Sequence, residues 1–223
     1  VGCIDSEKTY FVERLTTNHN KTSTEYAINI KNILEIHGIH TDDIEGAILS
    51  SVVPPLNAAI SSAVKKILGH HPMLVGSGIK TGMNILMDNP KTVGSDLIVD
   101  AVAAIRDYPC PIIIIDMGTA TTMSVVDPSG NYIGGTILPG LRISLDTLSS
   151  KTAQLPSISL DIPKKVIGKN TIDCMRSGIM YGNAGMIDGL KRSWGSPLLW
   201  LLPEVCPVLL CPCAAIKSSM TRL

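Results

Sequence analysis

One carboxylate, one glycine and three threonine hydroxyls crowd into the stretch Asp116-Met-Gly118-Thr119-Ala-Thr121-Thr122. A carboxylate at a strand end, beside exposed backbone N–H groups and hydroxyls, suits a phosphate with its cation. A plain β-meander, with Asp116 and the threonines satisfying turn backbone, accounts for the same residues. Asp96 is a second candidate. It follows Gly94-Ser95 at a helix start, where the helix dipole favours an anion, and simple capping explains it too. His37 and His40 stand at metal-pair spacing, but Gly38 lies between them and that helix offers no carboxylate partner, so they read as surface histidines. Gly76, Gly78 and Gly82 are misspaced for a dinucleotide fingerprint and lead into no helix, which leaves a flexible turn.

The elements that must position these residues emerge from patterning. Ile112–Ile115 is a continuous apolar run, as in a strand buried on both faces. Met123–Val126 and Tyr132–Leu138 are strands on either side of the turn-forming Asp127-Pro-Ser-Gly130. Upstream, Val1–Ile4 and Thr9–Leu15 form a hairpin across Asp5-Ser-Glu-Lys8. A helix capped at Thr22–Glu25 runs through Tyr26, Ile30, Ile33 and Leu34 to Gly38. Gly46–Val53 reads as a strand closed by Pro54-Pro55, residues 56–68 as a helix and Met73–Val75 as a short strand. The helix opened by Gly94-Ser95-Asp96 carries Leu97, Ile98, Val99, Val102, Ala103 and Ile105 as its apolar positions. Gly140–Leu148 is a further helix, and Thr152–Pro163 is a proline-punctuated connection. Gly168-Lys-Asn-Thr171 leads a long helix rich in small residues.

Bulk properties narrow the class. The chain has 223 residues, zero formal net charge and 17% charged residues, with no basic run to bind a nucleic acid. Mean hydropathy is +0.28, yet the apolar runs are strand-sized and no signal peptide or membrane span is evident. Cys3, Cys110 and Cys174 are scattered singly, as in a reduced, cytoplasmic protein. From Ser193 onward the composition shifts to tryptophan, cysteine and proline without a period. Cys206, Cys211 and Cys213 there match no zinc spacing.

The two halves share a plan. The second runs buried strand, glycine turn, strand, hairpin, strand, helix; the first runs strand, hairpin, strand, helix and lacks only the leading strand and its turn. Duplicated units would put a second phosphate-facing turn before Val1, as the other jaw of a nucleotide cleft.

The run DMGTATTMSVVDPSGNYIGGTILPG, followed by TAQLP, IGKNT and SGIMYGNAGMIDG, resembles the type III pantothenate kinases, and so does DNPKTVGSD. That resemblance covers about residues 1–190 in the family's order. It implies an α/β, duplicated ribonuclease-H-like (actin-like ATPase) fold, with mixed sheets flanked by helices. It implies a homodimer that phosphorylates pantothenate from ATP, the first step of coenzyme A synthesis. ATP with Mg2+ and a monovalent cation, K+ or NH4+, are the implied cofactors. By the same resemblance Asp96 is the general base on the pantothenate hydroxyl, and Gly94 and Ser95 line the substrate beside it. Asp116 is the monovalent-cation ligand, Gly118 and Thr119 bind ATP, and Thr171 reaches substrate from the partner subunit.

The sequence departs from the family at four places, one of them the aperiodic tail from Ser193, where the family has a strand ending in a Thr-Gly-Gly turn near the adenine. Leu97 stands where arginine is common, and Met87 where tyrosine is common, so two polar contacts to pantothenate are replaced by apolar groups. The family's N-terminal D-x-G-N-T strand–turn has no counterpart in the first half. The implied domains are 1–109, a first ribonuclease-H-like unit without its first strand, 110–192, a second incomplete one, and 193–223, an aberrant tail. Little or no activity is expected of a chain lacking one phosphate turn, where a single donor is worth about 10²–10³ in rate. The competing expectation is a non-catalytic, kinase-like protein that binds pantothenate or coenzyme A. Another sugar or acid kinase of the actin-like superfamily is a third class, disfavoured because its motifs differ.

Overall fold

The computed structural model describes residues 1–5, 7–76, 79–194 and the backbone of 199–201. Gly78, the three cysteines of the tail and the tail beyond Leu201 lie outside them. The chain divides into two compact units, residues 1–79 with 91–99 and residues 80–90 with 100–223.

In the first unit, β1 (Gly2–Ile4) and β2 (Thr9–Val12) pair antiparallel. Asp5 builds the turn between them. Its carboxylate accepts the N–H groups of Glu7 at 2.7 Å and Lys8 at 2.8 Å, and the Tyr10 hydroxyl at 2.8 Å. Helix α1 (Ser23–Ile36) opens with a reciprocal capping box between Thr22 and Glu25 and ends at Gly38, whose φ of 67° suits a residue without Cβ. The His37 ring stacks on Phe11 with centroids 4.3 Å apart, and its Nε2 lies 3.1 Å from the Glu13 carboxylate. That histidine is thus occupied in joining α1 to β2.

The strand expected over Gly46–Val53 shrinks to β3 (Ile48–Leu49), parallel to β4 (Met73–Leu74). Pro54 and Pro55 do not close a strand. They form the first turn of α2 (Pro54–Leu68), where a missing N–H costs nothing. Helices α1 and α2 meet over Tyr26, Leu56 and Ala63. Helix α3 (Ser95–Asp107) starts in this unit. Its deepest positions are Ile98, Ala101 and Ala104. Val99 is 40% exposed, and Ala103, expected on the apolar face, is exposed as well.

The second unit is organised by one sheet of order β7-β6-β5-β8. Strands β5 (Ile112–Met117), β6 (Ala120–Val126) and β7 (Tyr132–Pro139) run antiparallel to their neighbours, and β8 (Leu199–Leu201) is parallel to β5. Side chains alternate between faces. Ile113, Ile115, Met117, Met123 and Val125 pack with Leu141, Leu145, Met175, Ile179, Met180 and Ile187 of the two helices that come next in the chain. Each such side chain contributes about 1.5–3 kcal/mol when fully buried. The opposite face carries Ile112, Ile114, Asp116, Thr122, Ser124 and Val126, and there the Ser124 and Tyr132 hydroxyls meet at 3.1 Å.

Helix α4 (Leu141–Lys151) and helix α5 (Thr171–Trp194) flank the sheet. The connection between them is tied down by Arg176, which reaches Asp161 at 2.5 Å and the Ser159 hydroxyl at 2.9 Å. Among the described residues no helix is long and apolar enough to cross a membrane.

Candidate active site

The first turn of α3 holds Gly94, Ser95, Asp96 and Leu97 together. Asp96 is exposed, and its Oδ1 accepts the Leu97 N–H at 2.9 Å. The carboxylate is therefore folded back on its own helix. Glycine at position 94 permits this, because a Cβ there would stand 2.3 Å from Asp96 Oδ1. Ser95 points the other way. It is buried, donates from Oγ to the Ser51 carbonyl at 3.0 Å and accepts from the Ser50 hydroxyl at 3.2 Å. The substrate-lining place expected for Ser95 thus falls on a hydroxyl already engaged by the loop after β3. Leu97 is half-buried.

The second cluster is the turn between β5 and β6, in the other unit. Asp116, near the end of β5, is half-buried, and its register partner is Thr122. Directly opposed residues have Cβ atoms about 4.5–5.5 Å apart. Thr122 Oγ1 is buried without a hydrogen-bond partner, an orphaned oxygen on the same face as the carboxylate. Thr121 belongs to the opposite face and is fully buried, so the three threonines of this motif do not act together. Gly118 and Thr119 form the turn itself and are exposed.

Gly140 holds that turn in place. Its N–H donates to the Thr119 carbonyl at 3.1 Å, and a Cβ on it would lie 2.3 Å from the Gly118 oxygen and 2.4 Å from the Thr119 oxygen. Since Gly140 is also the N-cap of α4, that helix begins against the Gly-Thr turn. A helix start supplies unpaired N–H groups and positive potential, which favour a phosphate. The sequence pattern places Gly140 at the helix start and gives it no part in the site. The signal available was the Pro139-Gly140 step before a helix.

Met87 and Thr171 lie elsewhere in this unit. Residues 84–87 pair with the start of β7, with Leu86 N–H on the Tyr132 carbonyl and Tyr132 N–H on the Asn84 carbonyl, both at 2.8 Å. Met87 packs on Gly134, where its sulfur is 3.3 Å from the place of a Cβ. Gly134 is opposite Val125, five register positions from Ala120, so Met87 sits about 17 Å along the strands from the Gly118–Thr119 turn. Thr171 is the exposed first residue of α5, behind an Asn170 cap whose Oδ1 accepts the Asp173 N–H at 2.9 Å.

The first unit, taken by itself, carries a carboxylate at a helix start, and the second carries a Gly-Thr turn backed by another helix start. A model of the type III pantothenate kinase family matches residues 1–193, which include both. The chain belongs to the type III pantothenate kinases. A curated type III pantothenate kinase from Halalkalibacterium halodurans is 46% identical over 179 residues, covering 80% of this chain and 70% of that relative. A solved structure described as a conserved putative Baf family transcriptional activator, from Campylobacter jejuni, matches with a TM-score of 0.46 and 18% identity, over 72% of this chain and 68% of its own. In this type III pantothenate kinase the first turn of α3 thus sets an exposed Asp96 beside a buried Ser95. Among the described residues no cluster of three or more His, Cys, Asp or Glu side chains is arranged to hold a metal. The fit for a cation rests on Asp116 with the orphaned Thr122 oxygen.

Proposed function

We infer that the chain phosphorylates pantothenate from ATP, the step that opens coenzyme A synthesis, with Asp96 as general base. The observation that carries this reading is the first turn of α3, where an exposed carboxylate is held by the Leu97 N–H in space that Gly94 leaves open. Asp96 takes the proton of the pantothenate hydroxyl as its oxygen bonds to the γ-phosphorus. The bond to the bridging oxygen breaks and ADP leaves. Positioning dominates such a transfer, so an ordinary carboxylate held in one direction is sufficient. Thr119 and Gly118, backed by the start of α4, bind ATP phosphates. Mg2+ accompanying ATP would supply charge neutralisation on the transferred group. Asp116, with Thr122 beside it, would hold K+ or NH4+.

The duplicated ribonuclease-H-like fold belongs to the same reading, with its two domains at 1–109 and 110–192. It draws support from the order of elements: hairpin β1–β2 then α1 in one half, hairpin β6–β7 then α4 in the other. A homodimer is supported by α5. Cys174, Gly178, Gly182, Gly185 and Gly189 come after Thr171 at steps of three and four residues, and a Cβ on any of these glycines would meet nothing within 4 Å. A stripe so bare suits close approach of another helix, and Thr171 lies on it, placed to reach the partner's substrate. A reduced, cytoplasmic setting fits coenzyme A metabolism.

The test is phosphopantothenate formation followed by mass spectrometry with ATP, Mg2+, pantothenate and KCl. Asp96→Asn is expected to lower the rate by about 10²–10⁴, the usual worth of a general base. Undiminished turnover in Asp96→Asn would remove the assignment. The second reading, a binder without catalysis, is favoured by Leu97 and Met87 in place of polar residues. It predicts calorimetric binding of pantothenate or coenzyme A with no phosphorylated product.

A further inference from the structure

We propose that Ser95 is a positioning residue that sets the direction of the Asp96 carboxylate by clamping the first turn of α3 to the loop between β3 and α2. The inference rests on the reading of Asp96 as the base and adds what holds it.

A serine hydroxyl has one proton to donate and two lone pairs to accept with. In Ser95 the proton goes to the Ser51 carbonyl at 3.0 Å, and one lone pair takes the Ser50 hydroxyl at 3.2 Å. No donor remains for a substrate, and the residue is only 8% exposed. The loop that receives it is itself fixed. Ser51 Oγ accepts the Val53 N–H at 3.1 Å, and the Val53 carbonyl accepts the Leu56 N–H at 3.0 Å, which anchors the first turn of α2. The Val52 side chain approaches the open side of Gly94, at 3.8 Å from the place of its Cβ.

The Asp96 carboxylate is held locally, through the N–H of the next residue. Where it points therefore depends on the backbone of residues 94–97. Across that turn Ser95 supplies the bonds to the Ser50–Ser51 loop, and the Gly94 carbonyl accepts the Ile98 N–H at 3.2 Å. Two helix starts, those of α2 and α3, are thus joined through one buried hydroxyl, and the base rides on the join.

The experiment compares wild type, Ser95→Ala and Ser50→Ala by amide hydrogen exchange, with pantothenate affinity measured by calorimetry on the same samples. Ser95→Ala, which removes the hydrogen bonds to both Ser50 and Ser51, is expected to speed exchange at Leu97 and Ile98 about tenfold. Ser50→Ala keeps the bond to Ser51 and is expected to speed the same amides about threefold, with the α5 amides unchanged in both. Ser95→Thr, which retains the hydroxyl, restores the wild-type rates. Wild-type exchange in both alanine variants would overturn the proposal. So would pantothenate affinity falling tenfold in Ser95→Ala without faster exchange, since that marks a direct contact. Wild type that binds no pantothenate counts against the kinase reading alone, because the exchange rates still report the clamp.

Discussion

Oδ1 of Asp96 occupies the space that any side chain at position 94 would need, 2.3 Å from the Cβ of a modified Gly94. The clash is with the end of a side chain, so Gly94→Ala is relieved by rotating Asp96 off the Leu97 N–H. The fold is expected to survive, with the thermal midpoint within about 4 °C of wild type. Turnover is expected to fall about 10²-fold, the penalty of a base misplaced by an ångström. Steady-state kinetics and a melting curve on one preparation check both halves.

Gly140→Ala has no such escape. Its Cβ would press on two backbone oxygens and, at 2.8 Å, the Thr119 carbonyl carbon. The Gly118–Thr119 turn must move. A stability loss of about 1–3 kcal/mol is expected from overpacking, read as a lower urea midpoint. ATP affinity is expected to weaken more than pantothenate affinity, and equal weakening would count against a phosphate role for the turn.

Gly168→Ala tests packing without chemistry. A Cβ there would stand 2.4 Å from the Cys174 nitrogen and 2.6 Å from the Asp173 carbonyl carbon, in the first turn of α5. The connection after α4 would be lifted from that helix, with a loss again of about 1–3 kcal/mol. Proteolysis between residues 152 and 170 is expected to quicken while ATP binding by the folded fraction holds.

Asp127 gives the hairpin between β6 and β7 a pH dependence. Its carboxylate accepts the Asn131 side-chain amide at 2.9 Å, the Asn131 N–H at 2.9 Å and the Ser129 N–H at 2.8 Å. The Asn131 side chain foremost, then these N–H groups, hold it below the ordinary carboxylate value. The folded state therefore keeps the charge to lower pH than the unfolded chain. The stabilisation is full above the ordinary carboxylate pKa of about 4 and is lost as pH falls through the folded value. The melting-point gap between wild type and Asp127→Asn should be widest near neutrality and close in acid. A gap that stays constant would mean the charge is irrelevant.

Period and turn chemistry account for the part of the fold that was legible in the sequence. The run Ile112–Ile115, the Asp127–Gly130 turn and the Thr22 cap each state their structure locally, and each is found. Strand length was not legible at Gly46–Val53, because a ladder extends only as far as its partner, and Met73–Leu74 offers two residues. The pairing of residues 84–87 with β7 was hidden for a related reason: it runs through backbone groups and leaves no side-chain pattern. In the candidate site, residue types singled out Asp96 and Asp116 as candidates. The engagement of Ser95 and the pressure of Gly140 on the turn depend on contacts between separate segments of the chain, which no local pattern encodes.

The bare stripe on α5 sets folding alone against pairing. Glycine inside a helix is about 1 kcal/mol less favourable than alanine, and Gly178, Gly182, Gly185 and Gly189 all stand where a methyl group would touch nothing. Alanine at these positions would give a sturdier solitary helix and a shallower groove for a neighbour. Under the proposed homodimer, a chain improved in that way would hold together better by itself and recognise its own copy less well.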